Sequence, residues 1–222
     1  MKKKLIITGL MLLAVVTAEA TLSYSSPTTT GTLPDGSPVG MSSSITVSGA
    51  DINIVRDVNV TLQISGGYNG DLYGYLVGPD GGMAVLLNRI GRTSTDAFGN
   101  SGAGMNVTLD DDLGSDIHLA ASGVLSGVWM SDGRLVSPFT VTGTSSAAAN
   151  LNDVFIQANS HVVNGTWTLF LADVSGGDIN SLVSWGLDIT VVPEPVTWAM
   201  IIFGSLVGVY ASARRMRRQP AA

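Results

Sequence analysis

Apolar residues alternate with polar ones along the middle of this 222-residue chain, and that period of two decides what it can fold into. Val58, Val60, Leu62 and Ile64 are separated by Asn59, Thr61 and Gln63, the pattern of a strand with one buried face. Leu72–Val77 and Met83–Leu87 flank Pro79-Asp80-Gly81-Gly82, whose proline and glycines suit a hairpin turn. Trp167, Leu169 and Leu171 repeat the alternation, and so do Trp185, Leu187, Ile189 and Val191. The body has no convincing 3.6-residue apolar stripe, so no amphipathic helix is expected there. Many short strands divided by Gly, Asn and Asp loops predict an all-β fold, an antiparallel β-sandwich, over residues 44–191. The Ser/Thr/Pro-rich segment 21–43 reads as a linker or irregular lead-in.

The two ends follow other rules. Lys2, Lys3 and Lys4, an apolar run over Leu5–Val16, and Ala18-Glu19-Ala20 have the three parts of a secretory signal peptide, residues 1–20. Cleavage is expected after Ala20, following export through the Sec translocon. At the other end, Val196–Ala213 carries no charge over 18 residues, about 27 Å of helix and enough to predict one C-terminal transmembrane helix. Trp198 and Tyr210 stand near its ends, and Arg214, Arg215, Arg217 and Arg218 follow, a cluster the positive-inside rule keeps cytoplasmic.

Pro193-Glu194-Pro195 stands directly before that helix. The order Pro-Glu-Pro, apolar helix, arginine cluster, chain end resembles the PEP-CTERM sorting signal over residues 192–222. The resemblance implies a Gram-negative bacterial protein anchored in the inner membrane as a precursor. It also implies processing by an exosortase, a membrane transpeptidase-like enzyme that recognises Pro193, Glu194 and Pro195. The expected destination is the outer surface or the extracellular biofilm matrix.

Charge sharpens the picture. Setting the terminal lysines and arginines aside leaves four basic residues, against 16 acids once Glu19 is also set aside. Nucleic acid is therefore excluded as a partner, since counterion release needs a basic face. The absence of cysteine excludes disulfides, a thiol nucleophile and Cys-ligated metal.

Two segments, Asp57–Leu87 and Asn164–Ile189, carry a second resemblance, to the P domain (P/Homo B) that follows the catalytic domain of subtilisin-like proprotein convertases. The matching residues are Gly70, Asp71 and Leu72, then Leu76, Pro79, Gly81, Val85 and Leu86, then Gly165, Trp167, Leu169, Asp173, Leu182, Trp185, Leu187 and Ile189. The match starts near residue 32 and is poor from Thr93 to Asn152. It implies a jelly-roll-like sandwich with Asp71, Leu72, Trp167 and Trp185 in its core. The family often has a histidine where this chain has Gly66, and a Ser and a Thr where it has Gly78 and Gly82.

Catalysis is not expected. A serine protease needs a base beside its nucleophile, and only His118 and His161 could serve, neither in a subtilisin motif. Each reads as an exposed or locally hydrogen-bonded loop residue, and no catalytic residue is assigned. Asp110, Asp111, Asp112 and Asp116 form one acidic loop, and Asp173 and Asp178 bracket another. Oxygen ligands in such loops suit weak Ca²⁺ binding, the one cofactor expected. Tyr68, Tyr73, Tyr75 and Trp129 are candidates for a sugar-stacking face. The expected function is a non-catalytic adhesive or structural module sorted by exosortase. The alternatives are an accessory module for a separately encoded subtilisin-like endopeptidase, and a carbohydrate-binding module for exopolysaccharide.

Overall fold

In a computed structural model of the chain, the described residues are 19–26, 31–50, 53–120, 122–156, 162–193 and 195–216. The chain divides into two compact units, one spanning Glu19–Val192 and the other containing the C-terminal helix. The first unit is all-β, built from two sheets. Its strands are β1 (Ala20–Ser25), β2 (Gly31–Thr32), β3 (Ser37–Val47), β4 (Asn53–Gly66), β5 (Leu72–Val77), β6 (Met83–Asn88), β7 (Met105–Leu109), β8 (Leu125–Trp129), β9 (Gly165–Asp173) and β10 (Asn180–Pro193). One sheet runs β1-β10-β4-β7-β8, with β2 also on β10, and the other runs β3-β9-β5-β6.

The alternation read from the sequence is the alternation that builds the core. Val58, Val60, Leu62 and Ile64 of β4, Trp185, Leu187, Ile189 and Val191 of β10, and Trp167, Leu169 and Leu171 of β9 all point inward and are buried. They meet in one hydrophobic cluster shared by both sheets, as the inner faces of a sandwich must. The predicted hairpin is present: Val77 pairs with Met83, and the Gly78 N–H donates to Gly82 O at 2.9 Å.

The structure corrects two expectations. Much of the described part of the segment 21–43 is strand. Ala20–Ser25 lies antiparallel along β10, from Ala20↔Val191 to Ser25↔Gly186, and Ser37–Val47 pairs with β9. Its small hydroxyl side chains hide a genuine alternation, because Leu22 and Tyr24 pack on the core while Thr21 and Ser23 face out. The sandwich is also not wholly antiparallel, since β7 and β8 pair in parallel from Met105↔Leu125 to Leu109↔Trp129.

Gly66, Gly78 and Gly82 sit where a side chain would crowd its neighbours. A short helix, α1 (Leu151–Phe155), packs against the β5–β6 turn. A Cβ on Gly78 would come within 2.8 Å of the Phe155 ring, and one on Gly82 within 3.1 Å of Val154. Gly66 has φ +71, and a Cβ there would stand 2.8 Å from Ile179 O.

The second helix, α2 (Pro195–Met216), belongs to the other unit. Its described side chains are those of 201–211 and 214. Among the described residues no helix is long and apolar enough to cross a membrane, so the span expected over 196–213 is not found there. Pro193 ends β10, while Pro195, Arg214 and Arg215 lie in α2. Ala18, His161, Glu194, Arg217 and Arg218, and nearly all of the expected signal peptide, lie outside the described residues.

Candidate functional site

Three of the four basic residues between the termini, Arg89, Arg92 and Arg134, are drawn inward, where they organise polar networks that the sequence pattern does not announce. Asp132 is the centre of the first. It is fully buried, and its Oδ2 accepts from His118 Nδ1 at 2.8 Å and from the Asn88 N–H at 3.1 Å. Its Oδ1 accepts from Arg134 N at 3.3 Å and from Arg134 Nη1 at 3.4 Å. Arg134 continues as a fork onto Asp116, at 3.1 Å and 2.6 Å. Burial works against the Arg134 charge, but Asp116 and Asp132 outweigh it and raise its pKa.

His118 is thus neither an exposed loop residue nor bonded only to near neighbours. It is 1% exposed, and its Nε2 lies 3.0 Å from the Arg92 carbonyl. With an acceptor opposite each ring nitrogen, neither is turned toward a hydroxyl, which is the geometry a triad base requires. The His–Asp pair instead ties the loop at 116–120 to the loop at 131–134. Arg92 extends the tie by donating to Pro138 O and Val141 O at 3.2 and 3.1 Å.

A second network surrounds Asp71, which resemblance places in the core and which the structure buries at 6% exposure. Arg89 Nη2 reaches Asp71 Oδ1 at 3.4 Å, and Arg89 Nε donates to Gly70 O. Arg89 holds a left-handed φ of 56, a strained conformation for a residue with a Cβ, which these contacts hold in place. Burial, opposed by Arg89 and reinforced by Asp173 and Asp178, pushes the Asp71 carboxyl up to about 6. Burial raises the Asp173 carboxyl too, although Asn180 Nδ2 donates to it at 2.9 Å.

A raised acid pKa means the folded state holds the proton more tightly than the unfolded chain. The contribution of Asp71 is therefore fully present below its unfolded value near 3.8 and is lost as pH rises through about 6. The loss amounts to about 2–3 kcal/mol. Urea unfolding of the purified protein should show this fall between pH 4 and pH 7, and Asp71→Asn should flatten it. An unchanged slope in the variant would assign the effect elsewhere.

The acidic loops divide in an unexpected way. In the run after β7, alternate carboxylates point apart. Asp111 Oδ1 accepts from Ser131 N and Oγ, both at 2.8 Å, and its Oδ2 accepts from Asn152 N at 2.9 Å, so it fastens the loop to α1. Asp116 is committed to Arg134 and to the His118 N–H at 2.9 Å. Asp110 and Asp112 face the other way and meet Asp57 of β4, with one oxygen from each lying within 4.8 Å of the others. The set proposed from sequence therefore loses Asp111 and Asp116 and gains Asp57. At the other loop, Asp173 is fully buried on Asn180 while Asp178 is exposed. Among the described residues, Asp57, Asp110 and Asp112 form the one acidic group close enough to share an ion.

Asp57 feels this crowding. Burial, then Asp110, then Asp112 raise its carboxyl above the usual range, and its Oδ2 takes a short 2.7 Å bond from Asn59 Nδ2. Its Oδ1 exposes less than 1 Å² and has no hydrogen-bond partner. Inward-facing positions on β4 shift phase between Val55 and Val58, and Asp57 sits within that shift. Nothing in the sequence alternation marks this residue as different from its neighbours.

The candidate aromatic residues are divided between the two sheets, with Tyr73 and Tyr75 on β5 and Trp129 on β8. Tyr75 stacks on Phe170 with ring centroids 4.7 Å apart, and Tyr73 meets Tyr75 edge-on at 5.9 Å. The rings contact one another across β5 and β9 and each stays half-buried. Trp129 lies on β8 and its Nε1 donates to Ser126 O at 3.0 Å.

No protein-family profile matches the chain, and no curated protein matches it in sequence. Among solved structures, the serine protease of Aeromonas sobria in complex with its chaperone ORF2 aligns at 16% identity and a TM-score of 0.45, over 80% of this chain and 28% of that one. The Aeromonas sobria serine protease solved alone aligns at 15% identity and a TM-score of 0.43, over 79% of this chain and 27% of that one. This chain spans little more than a quarter of the length of either match.

Proposed function

We propose that the chain is an exported, non-catalytic β-sandwich module of the bacterial surface or matrix, held by α2 as a membrane stop and sorted at Pro193-Glu194-Pro195. The observation that carries this reading is the order of features over residues 193–218: Pro-Glu-Pro, an uncharged run and four arginines. The body stops at Val192, and α2 begins at Pro195, two residues after β10 ends. Proline at a first helical position costs no hydrogen bond, so the same residue serves an extended motif and a helix start.

Further support comes from α2 itself. Ile201, Phe203, Leu206, Val207, Val209 and Tyr210 are each more than half exposed. Ser205, within the same stretch, donates its hydroxyl to Ile201 O at 2.7 Å. Val196–Ala213 is uncharged and Arg214 onward is basic, which is the sequence ground for a membrane-held precursor. The jelly-roll-like, P-domain-like character of the body belongs to this proposal as well. It is supported by the burial of Leu72, Trp167, Asp173 and Trp185.

The test is a triple substitution of Pro193, Glu194 and Pro195 by alanine in the full-length protein. Processing should stop, leaving precursor in the inner-membrane fraction, while the parent chain is shortened and released. Equal release of the two proteins on an immunoblot would overturn the sorting reading.

A further inference from the structure

We propose that the outward face of the β3-β9-β5-β6 sheet, centred on Tyr73, Tyr75 and Phe170, binds a neutral polysaccharide. The inference takes its setting from the exported module above and rests on that reading in this respect only. Binding is measured on the purified protein without reference to sorting, so either reading can fail alone. Strand register assembles the face. Tyr75 on β5 stands opposite Phe170 on β9, which stands opposite Ser42 on β3. The next row runs Val77, Thr168, Ser44, with Ser44 Oγ and Thr168 Oγ1 3.0 Å apart. Tyr73 flanks the Tyr75 row on its other side.

The rings lie away from the core. Tyr73 and Tyr75 alternate with the buried Leu72, Gly74 and Leu76, and Phe170 sits between the buried Leu169 and Leu171. Each ring is half-buried, so its contacts with the other rings leave part of its apolar surface uncovered. On the β3 side the backbone gives way to one of them. Gly40 holds φ +55, and a Cβ there would come within 2.7 Å of Phe170 Cζ, so the bulge between Ser37 and Met41 makes room for that ring. Ser42, Ser44, Thr46 and Thr166 are exposed on the same face, which leaves it open to a ligand longer than itself.

Charge selects the occupant. The outward residues of these rows are all uncharged, on a body with 16 acids and four arginines. An acidic partner is repelled by the body, and a basic one finds no counter-charge on the face, so the partner that fits is neutral. Protein interfaces are enriched in Met and Arg and depleted in Ser, whereas these rings are bordered by serine and threonine hydroxyls. A neutral sugar ring matches that mixture. Its axial C–H groups pack on an electron-rich aromatic face, and its hydroxyls exchange hydrogen bonds with Ser42, Ser44 and Thr168. On an open face the affinity has to be summed over several such units, which calls for a polymer rather than a single sugar.

The test is native-gel retardation of the purified full-length protein by hydroxyethylcellulose, galactomannan and dextran, three neutral polymers, with polygalacturonate as the anionic one. At least one neutral polymer should retard the protein, and polygalacturonate should not. Tyr75→Ala should weaken the retardation about tenfold, while Tyr75→Phe keeps the ring and should stay within about twofold of the parent. Ser42→Glu, at an exposed position, puts a charge into the same row without touching the interior and should weaken binding about as much as Tyr75→Ala. Trp129→Phe, on the other sheet, should bind as the parent does. Free passage through all three neutral polymers would overturn the proposal, as would unchanged retardation in both Tyr75→Ala and Ser42→Glu, or equal retardation by polygalacturonate. Sedimentation supplies the remaining arm: a dimer that Tyr75→Ala dissociates and glycan does not would assign the face to a second copy of the chain instead.

Discussion

Asp132→Ala should cost about 3–5 kcal/mol of stability, the range for breaking a buried ion pair and stranding its partners. The carboxylate accepts four hydrogen bonds, two from Arg134 and one each from His118 and Asn88. His118 and Arg134 have no route to water, at 1% and 4% exposure, so truncation leaves both facing a cavity. Arg134 keeps Asp116, but His118 keeps only the Arg92 carbonyl. Beyond stability, the loop at 131–134 should loosen from β6, where Asp132 and Gly133 now donate to Leu86 O and Val85 O. Chemical denaturation gives the free energy, and amide exchange at those two sites reports the loosening. A loss under about 1 kcal/mol, as for an exposed pair, would show that the hub is not the buried network described.

A loss of similar size is expected from Trp167→Ala, about 3–5 kcal/mol. Trp167 is 1% exposed and pairs with Ile45 across β3 and β9. Its ring meets Phe155 edge-on at 4.8 Å, and its Nε1 donates to Val163 O at 3.0 Å. Removal takes away a large apolar area, an aromatic contact between β9 and α1, and the tether on the approach to β9. Trp167→Phe keeps most of the area while stranding the Val163 carbonyl, and should cost about 1–2 kcal/mol. Thermal melts of the two variants therefore separate packing from hydrogen bonding. Equal losses in both would mean the indole N–H dominates.

These two residues mark where sequence reasoning succeeds and where it stops. Trp167 stands at the head of an alternating run, so its inward face is legible from Leu169 and Leu171 alone. The same logic locates β4, β9 and β10, because one buried face imposes a period that composition preserves, while the Pro79-Asp80-Gly81-Gly82 turn locates β5 and β6, the latter buried on nearly every position. It passes over β1 and most of β3, where Ser and Thr fill the outward positions and only Leu22, Tyr24, Ile45 and Val47 mark the inner ones. Asp132, Asp57 and Arg89 have no period at all. Their roles depend on contacts between residues far apart in sequence, such as Asp57 with Asp110 or His118 with Asp132, which no local pattern encodes. The tripled aspartates did draw attention to the right loop. Backbone direction then decided that Asp110 and Asp112 turn one way and Asp111 the other.

One usable hint was the scarcity of positive charge. With four arginines against 16 acids, each cation is disproportionately valuable. Arg89 and Arg134 are almost fully buried, and Arg92 is spent on two backbone carbonyls. A chain that can so little afford to hide its arginines, and hides them regardless, needs them for architecture.

The pairing of Ala20 with Val191 brings the start and the end of the sandwich to one pole, and this gives the body a mechanical grain. Tension between its two ends would part the β1–β10 ladder one rung at a time, which resists little. Tension between the exit at Pro193 and a ligand held at the opposite pole would run along β10, loading its rungs together. A body fastened at Pro193 and pulled from the opposite pole would meet the load in its stronger direction, with β1 lying along the strand that bears it.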